Sequence, residues 1–113
     1  MVIILTDANI KDAVNAWYNG DTTTYGHIST WDTEKVTNMS ELFINKSDFN
    51  DDISNWNVSN VTTMRDMFCH AGAFNQPIGT WNVSNVTNMY GMFSWAEAFN
   101  QPIGTWNVSN VTT

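Results

Sequence analysis

Shifted by 25 residues, the chain falls on itself. Trp31, Trp56, Trp81 and Trp106 share one column, and so do Ile28, Ile53, Ile78 and Ile103. Val36, Val61, Val86 and Val111 form a third, followed by Met39, Met64 and Met89, by Phe43, Phe68 and Phe93, and by Phe49, Phe74 and Phe99. Residues 53–77 and 78–102 agree at 17 of 25 positions. A fixed period of about 20 to 50 residues marks stacked repeats, because so short a unit cannot bury its own apolar side and must use its neighbours. The period predicts a solenoid over 28–113: coil 1 (28–52), coil 2 (53–77), coil 3 (78–102) and a partial coil 4 (103–113). Residues 1–27 break the period and read as a capping helix and lead-in.

Within each coil, local signals predict three pieces. "QPIGTW" opens on Pro and continues with β-compatible residues, which places a short strand near 76–81, with counterparts near 51–56 and 101–106. "NVSNVT" carries the Asn and Ser of turns. Met89, Met92, Phe93 and Ala96 then recur at i, i+3, i+4 and i+7, one face of a short helix with Thr87 or Asn88 as its N-cap. Met64, Met67, Phe68 and Ala71 repeat that face, and Met39, Leu42 and Phe43 repeat part of it. The predicted fold class is therefore an α/β repeat, a leucine-rich-repeat-like solenoid with one short strand and one short helix per coil. Ahead of it, Ile10, Val14 and Trp17 predict an amphipathic helix over 7–19, with Thr6 or Asp7 as N-cap and Gly20 as its stop. It would seal one end of the stack, while the last coil breaks off at "NVTT" with no cap of its own.

The net charge of −7 makes a nucleic-acid backbone or an anionic membrane a poor partner. The single cysteine, Cys69, precludes an internal disulfide and shares a column with Ile44 and Ser94. "MVIIL" is too short to span a bilayer and lacks the flanks of a secretory signal.

The pattern I-x-x-W-[DN]-V-S-N-V-T-x-M-x-x-M-F-x-x-A-x-x-F-N-Q, with the lead-in "YGHISTWDTEKVTNMSELF", resembles the BspA-like leucine-rich-repeat family of surface proteins over residues 25–113. The resemblance implies a right-handed solenoid within a secreted or surface-attached protein, with adhesion or protein binding as its role. It brings no catalytic residues. Coil 1 departs from the pattern at Asp32, Glu34, Lys35 and "NKSDFNDD".

Acid–base catalysis needs paired titratable groups in a cleft, for which Asp66 with His70 and His27 with Asp32 are the only candidates. Coil 3 has Gly91 and Trp95 in place of Asp66 and His70, so the repeat is not built around that pair. Asp48, Asp51 and Asp52 suit a hard cation by type, but their spacing matches no calcium loop, and they read as a solvated edge. No phosphate cradle or nucleophile elbow is present, so the reading is of a protein that is not an enzyme and uses no metal or cofactor. Asn38, Asn45, Asn57, Asn60, Asn82, Asn85, Asn107 and Asn110 head N-x-[ST] sequons; Asn60, Asn85 and Asn110 read as a stacked amide ladder. The Thr37, Thr62, Thr87 and Thr112 column gives thin support to a flat ice-binding face.

Positions that change between coils are where a surface can be made. Ser40, Arg65 and Tyr90 form one such column, Asn45, His70 and Trp95 another, and Asn55, Thr80 and Thr105 a third. Aromatic and Arg side chains anchor interfaces, so Arg65, His70, Tyr90 and Trp95 are the candidate partner-binding residues. The function expected is a non-catalytic, extracellular or cell-surface scaffold for protein or glycan recognition. The alternative is a structural subunit that stacks end to end on other copies through its uncapped coil.

Overall fold

Apolar residues at helical spacing, Ile10, Ala13, Val14 and Trp17, fold the N-terminal region into helix α1, Ile10–Tyr18. The first three are buried and Trp17 packs against the same core. Gly20, at φ 103°, ends it in the left-handed region where a residue without Cβ is at ease. The helix begins later than the sequence predicts, because Asp7 is used elsewhere. Thr6 O accepts from Asn9 and Ile10, and the Asn9 side chain accepts from Thr6 N–H. The computed structural model describes residues 3–113; Met1 and Val2, the start of the predicted lead-in, lie outside the described residues.

After a short 3-10 turn at Ile28–Thr30, the chain runs as 25-residue turns laid one on another. Their inward columns are a continuous core: Ile28, Ile53 and Ile78, Val36, Val61 and Val86, and Phe43 and Phe68 are all 0% exposed. Six phenyl rings stack in two files. Phe43, Phe68 and Phe93 lie 5.4 and 5.7 Å apart, and Phe49, Phe74 and Phe99 lie 5.8 and 6.0 Å apart. Within each turn the two files touch at 4.2 to 4.3 Å. Such parallel, offset pairs add about 0.5–1.5 kcal/mol each beyond the area they bury.

The predicted strand and helix of each coil are absent from the described residues, and the α/β reading is corrected accordingly. Only single parallel bridges, Asn38 with Thr63 and Thr63 with Asn88, resemble a sheet, and α1 is the one α-helix. Hydrogen bonding gives the reason. Met39, Glu41, Phe43 and Asn45 donate their N–H groups to the carbonyls of Thr63, Arg65, Met67 and Cys69 in the next turn, at 2.8 to 3.0 Å. Met64, Asp66, Phe68 and His70 do the same to Asn88, Tyr90, Met92 and Ser94. The residues between them donate three residues back: Leu42 to Met39, Ile44 to Glu41, Met67 to Met64, Cys69 to Asp66. A helix would spend every N–H within the segment, and a strand would spend none there. Alternation satisfies both directions and needs a left-handed residue every fourth position. Those residues are Glu41 and Asn45, Asp66 and His70, Gly91 and Trp95, at φ 53° to 65°. The predicted strand near 76–81 is likewise a turn, closed by Trp81 N–H to Ile78 O at 3.1 Å, with Trp56 and Trp106 repeating it.

Polar columns fix the register between turns. Each indole N–H reaches the turn before it: Trp56 to Ile28 O, Trp81 to Ile53 O, Trp106 to Ile78 O, at 2.8 to 3.2 Å. Asn60, Asn85 and Asn110 donate their amides to Glu34 O, Ser59 O and Ser84 O. The predicted asparagine ladder thus bonds side chain to backbone rather than amide to amide. Gln76 and Gln101 add a third file, each donating to the Asn one turn back, Asn50 and Asn75.

Coil 1 has no earlier turn to bond to, and its departures from the repeat supply what is missing. Thr62, Thr87 and Thr112 donate N–H and hydroxyl to the carbonyl of the Thr one turn before; Thr37 donates both to the Asp7 carboxylate, at 2.8 and 2.6 Å. Asp7 also accepts from Asn38 N–H. Asp51 stands in the Gln76 column, where a donor would find nothing behind it, and accepts from the Trp17 indole of α1 at 2.9 Å. Thr33, fully buried in the Val58 column, donates its hydroxyl forward to Asn57 O. Lys46 completes the seal over the Tyr18 ring, and burial, then the nearby Lys11 charge, holds its pKa below the usual lysine range.

Candidate functional site

With the core columns spent on packing, two outward columns carry the large side chains that repetition does not require. The structure pairs the four predicted residues across turns: Arg65 lies over the Tyr90 ring at 5.8 Å, and His70 stacks on Trp95 at 5.9 Å with the rings 5° apart. No hydrogen bond, ion pair or ring contact joins one pair to the other among the described residues. They are two separate columns, five residues apart along each turn.

Tyr90 and Trp95 are 63% and 68% exposed, whereas Trp31, Trp56 and Trp81 are at most 6% exposed. Both lie on coil 3, each ring facing its partner on coil 2. Tyr90 also borders a shallow hollow with Arg65, Asn88 and Thr113. Arg65 is held from below by Asp66, 3.7 Å away, a contact too exposed on the arginine side to add much stability.

The backbone beneath these columns is the more telling feature. His70 and Trp95 both sit at φ 58°, as does Asn45 at 61° in coil 1. The left-handed region costs an ordinary L-residue about 1–2 kcal/mol, and a bulky side chain there is an outlier. Coil 3 meets the same demand four residues earlier with Gly91 at φ 65°, against which the Asp66 carboxylate packs. At 95 the chain instead places its largest side chain in the strained position and in water.

The other candidates separate. Asp66 turns to Arg65 while His70 turns to Trp95, and His27 bonds Ser29, at 2.7 Å, rather than Asp32. Asp51 is engaged by Trp17 and Asp52 by Ser54, whose hydroxyl and N–H hold the Asp52 carboxyl below its ordinary pKa. No three His, Cys, Asp or Glu residues converge on a metal position among the described residues. The threonine hydroxyls of the 37, 62, 87 and 112 column are exposed, and each is committed as a donor along the stack.

Sequence reasoning missed Thr33 and gave Asp7 and Asp51 other roles, as helix N-cap and solvated edge, although the three let the stack begin. Two of them were legible as column misfits, Thr among Val and Asp among Gln; Asp7 lies outside the period and left no such mark.

No curated protein and no solved structure matches the chain. A family model described as "Mycoplasma protein of unknown function, DUF285" matches residues 11–113, which takes in most of α1 and every coil. The chain belongs to that family of repeat-containing proteins.

Proposed function

We propose that the protein is a non-catalytic recognition scaffold, akin to the BspA-like surface proteins, that binds a protein or glycan partner outside the cell through its Arg65–Tyr90 and His70–Trp95 columns. One observation carries this reading: Trp95 is 68% exposed on a left-handed backbone position, so it is costly both to hydration and to conformation. The repeat demands the left-handed backbone at this position, as at Asn45 and His70, but it does not demand an exposed indole there, and that choice calls for a use other than folding. Stacking of Trp95 on His70 and of Tyr90 against Arg65 fixes both rings before any partner arrives, which lowers the entropy lost on binding.

The test is a glycan array together with a panel of immobilised extracellular proteins, probed with the wild-type chain and with Tyr90→Ala, Trp95→Ala. A hit that weakens at least about tenfold in the double variant, with thermal unfolding still cooperative, supports the columns as the binding face. Hits that bind both proteins equally would sink that choice.

A further inference from the structure

Coil 1 carries charge where the later coils carry alanine, and one of those charges has no part in the stack. Lys46 stands in the column of Ala71 and Ala96, and Asp48 in that of Ala73 and Ala98. Lys46 is taken up by the Tyr18 ring, and the neighbouring Asp51 and Asp52 by Trp17 and Ser54. Asp48 is exposed and has no hydrogen bond or ion pair among the described residues. It lines a cavity of about 280 Å³ where α1 meets coil 1, together with Trp17, Tyr18, Phe49 and Asp51. The wall is fixed without a ligand: the Trp17 indole donates to Asp51 Oδ2 at 2.9 Å, and its ring meets His27 at 4.8 Å and Trp31 at 6.4 Å, both edge-on. Asp51 Oδ1 has no donor among the described residues.

We propose that this cavity binds a primary alkylammonium group, with its N–H donors shared between Asp48 and Asp51 Oδ1 and its alkyl stem against the aromatic wall. Ring faces attract a cation, and carboxylates accept its N–H groups at charge-assisted strength. The chain already shows half of this chemistry beside the cavity, where the Lys46 ammonium lies 5.5 Å from the centre of the Tyr18 ring. An anion would meet two like charges, and a neutral apolar ligand would strip water from carboxylates it cannot satisfy. A quaternary ammonium has no N–H to offer them. The charges of Lys46 and the nearby Lys11 oppose a second positive centre, which favours a monoamine or a lysine side chain over a polyamine. A bare metal ion lacks a third ligand, since no three His, Cys, Asp or Glu residues converge among the described residues. The cavity shares no residue with the Arg65–Tyr90 and His70–Trp95 columns, so it does not depend on the role proposed for them.

The experiment titrates butylammonium chloride into the full chain at fixed ionic strength and follows the indole N–H resonances by nuclear magnetic resonance. The Trp17 resonance should shift and saturate, while those of Trp56, Trp81 and Trp106 stay in place. Asp48→Ala restores the residue of the later coils, so the unliganded spectrum should keep its Trp17 resonance; the affinity should fall about threefold or more, as for an exposed charge pair. A Trp17 shift that never saturates, an affinity unchanged in Asp48→Ala, or tetramethylammonium bound as tightly as butylammonium would each overturn the site. N-acetyl-lysine methylamide separates the sources of the ammonium. Binding at least as tight as that of butylammonium assigns the group to a lysine side chain of a protein partner, and binding of butylammonium alone assigns it to a free amine.

Discussion

Replacing Trp95 by Gly and by Ala separates strain from packing at the proposed binding face. Both variants lose the stack on His70, worth about 0.5–1.5 kcal/mol. Alanine keeps a Cβ at φ 58° and with it the left-handed cost of about 1–2 kcal/mol. Glycine removes that cost, but a freer unfolded chain takes back about 0.5–1 kcal/mol. The difference leaves Trp95→Gly more stable than Trp95→Ala by about 0.5–1 kcal/mol, the reverse of the order at an ordinary position. Urea unfolding of both variants resolves this, and the gap corresponds to about 2–4 °C in Tm. Neither should bind a partner found for the wild type. An alanine variant more stable than the glycine variant would refute the claim that Trp95 holds a strained backbone.

Other consequences concern the start of the stack and its polar files. Asp7→Ala should cost about 1–2 kcal/mol in urea unfolding, since Thr37 and Asn38 lose the acceptor that replaces an earlier turn. Desolvation pushes the Asp7 pKa up, but hydrogen bonds from the Thr37 hydroxyl and from the Thr37 and Asn38 N–H groups outweigh it, and the net value is lowered. Its stabilisation is therefore full above the ordinary aspartate pKa and is lost as pH falls through the lower folded value; the acid limb of stability should flatten in Asp7→Asn. Trp81→Phe should cost about 1–3 kcal/mol because Ile53 O is left buried without its indole donor, while Trp106→Phe, at the half-buried end, should cost less. Equal losses at 81 and 106 in denaturant melts would show that the indole bonds do not set the register.

How much of this was legible in the sequence depends on whether a residue's role was local. The inward columns could be read because burial repeats with the chain, and Ile53, Val61, Met64 and Phe68 are all 0% exposed. Helix α1 was legible for the same reason, through Ile10, Val14 and Trp17. The segment 64–71 was misread because Met64, Met67, Phe68 and Ala71 face inward in either case. Spacing of i, i+3, i+4 and i+7 reports which side chains share a face and not where the N–H groups go. Those of Met64, Asp66, Phe68 and His70 go to a turn 24 residues on, a partner that no local pattern names. A left-handed backbone usually announces itself by glycine, yet within the coils only Gly91 does so; Glu41, Asn45, Asp66, His70 and Trp95 hide it. At the candidate site, comparison of coils found Arg65, His70, Tyr90 and Trp95, but not that they pair across turns or that two of them stand on strained backbone.

The strain at Trp95 and the absence of a helix per coil both rest on the alternation of hydrogen bonds, and carbon chemical shifts with through-bond couplings measure it residue by residue. The account predicts left-handed shifts at Glu41, Asn45, Asp66, His70 and Trp95, and couplings from Asp66 N–H to Tyr90 and from His70 N–H to Ser94. An unbroken run of helical shifts from Met64 to Ala71, with couplings four residues back, would contradict it.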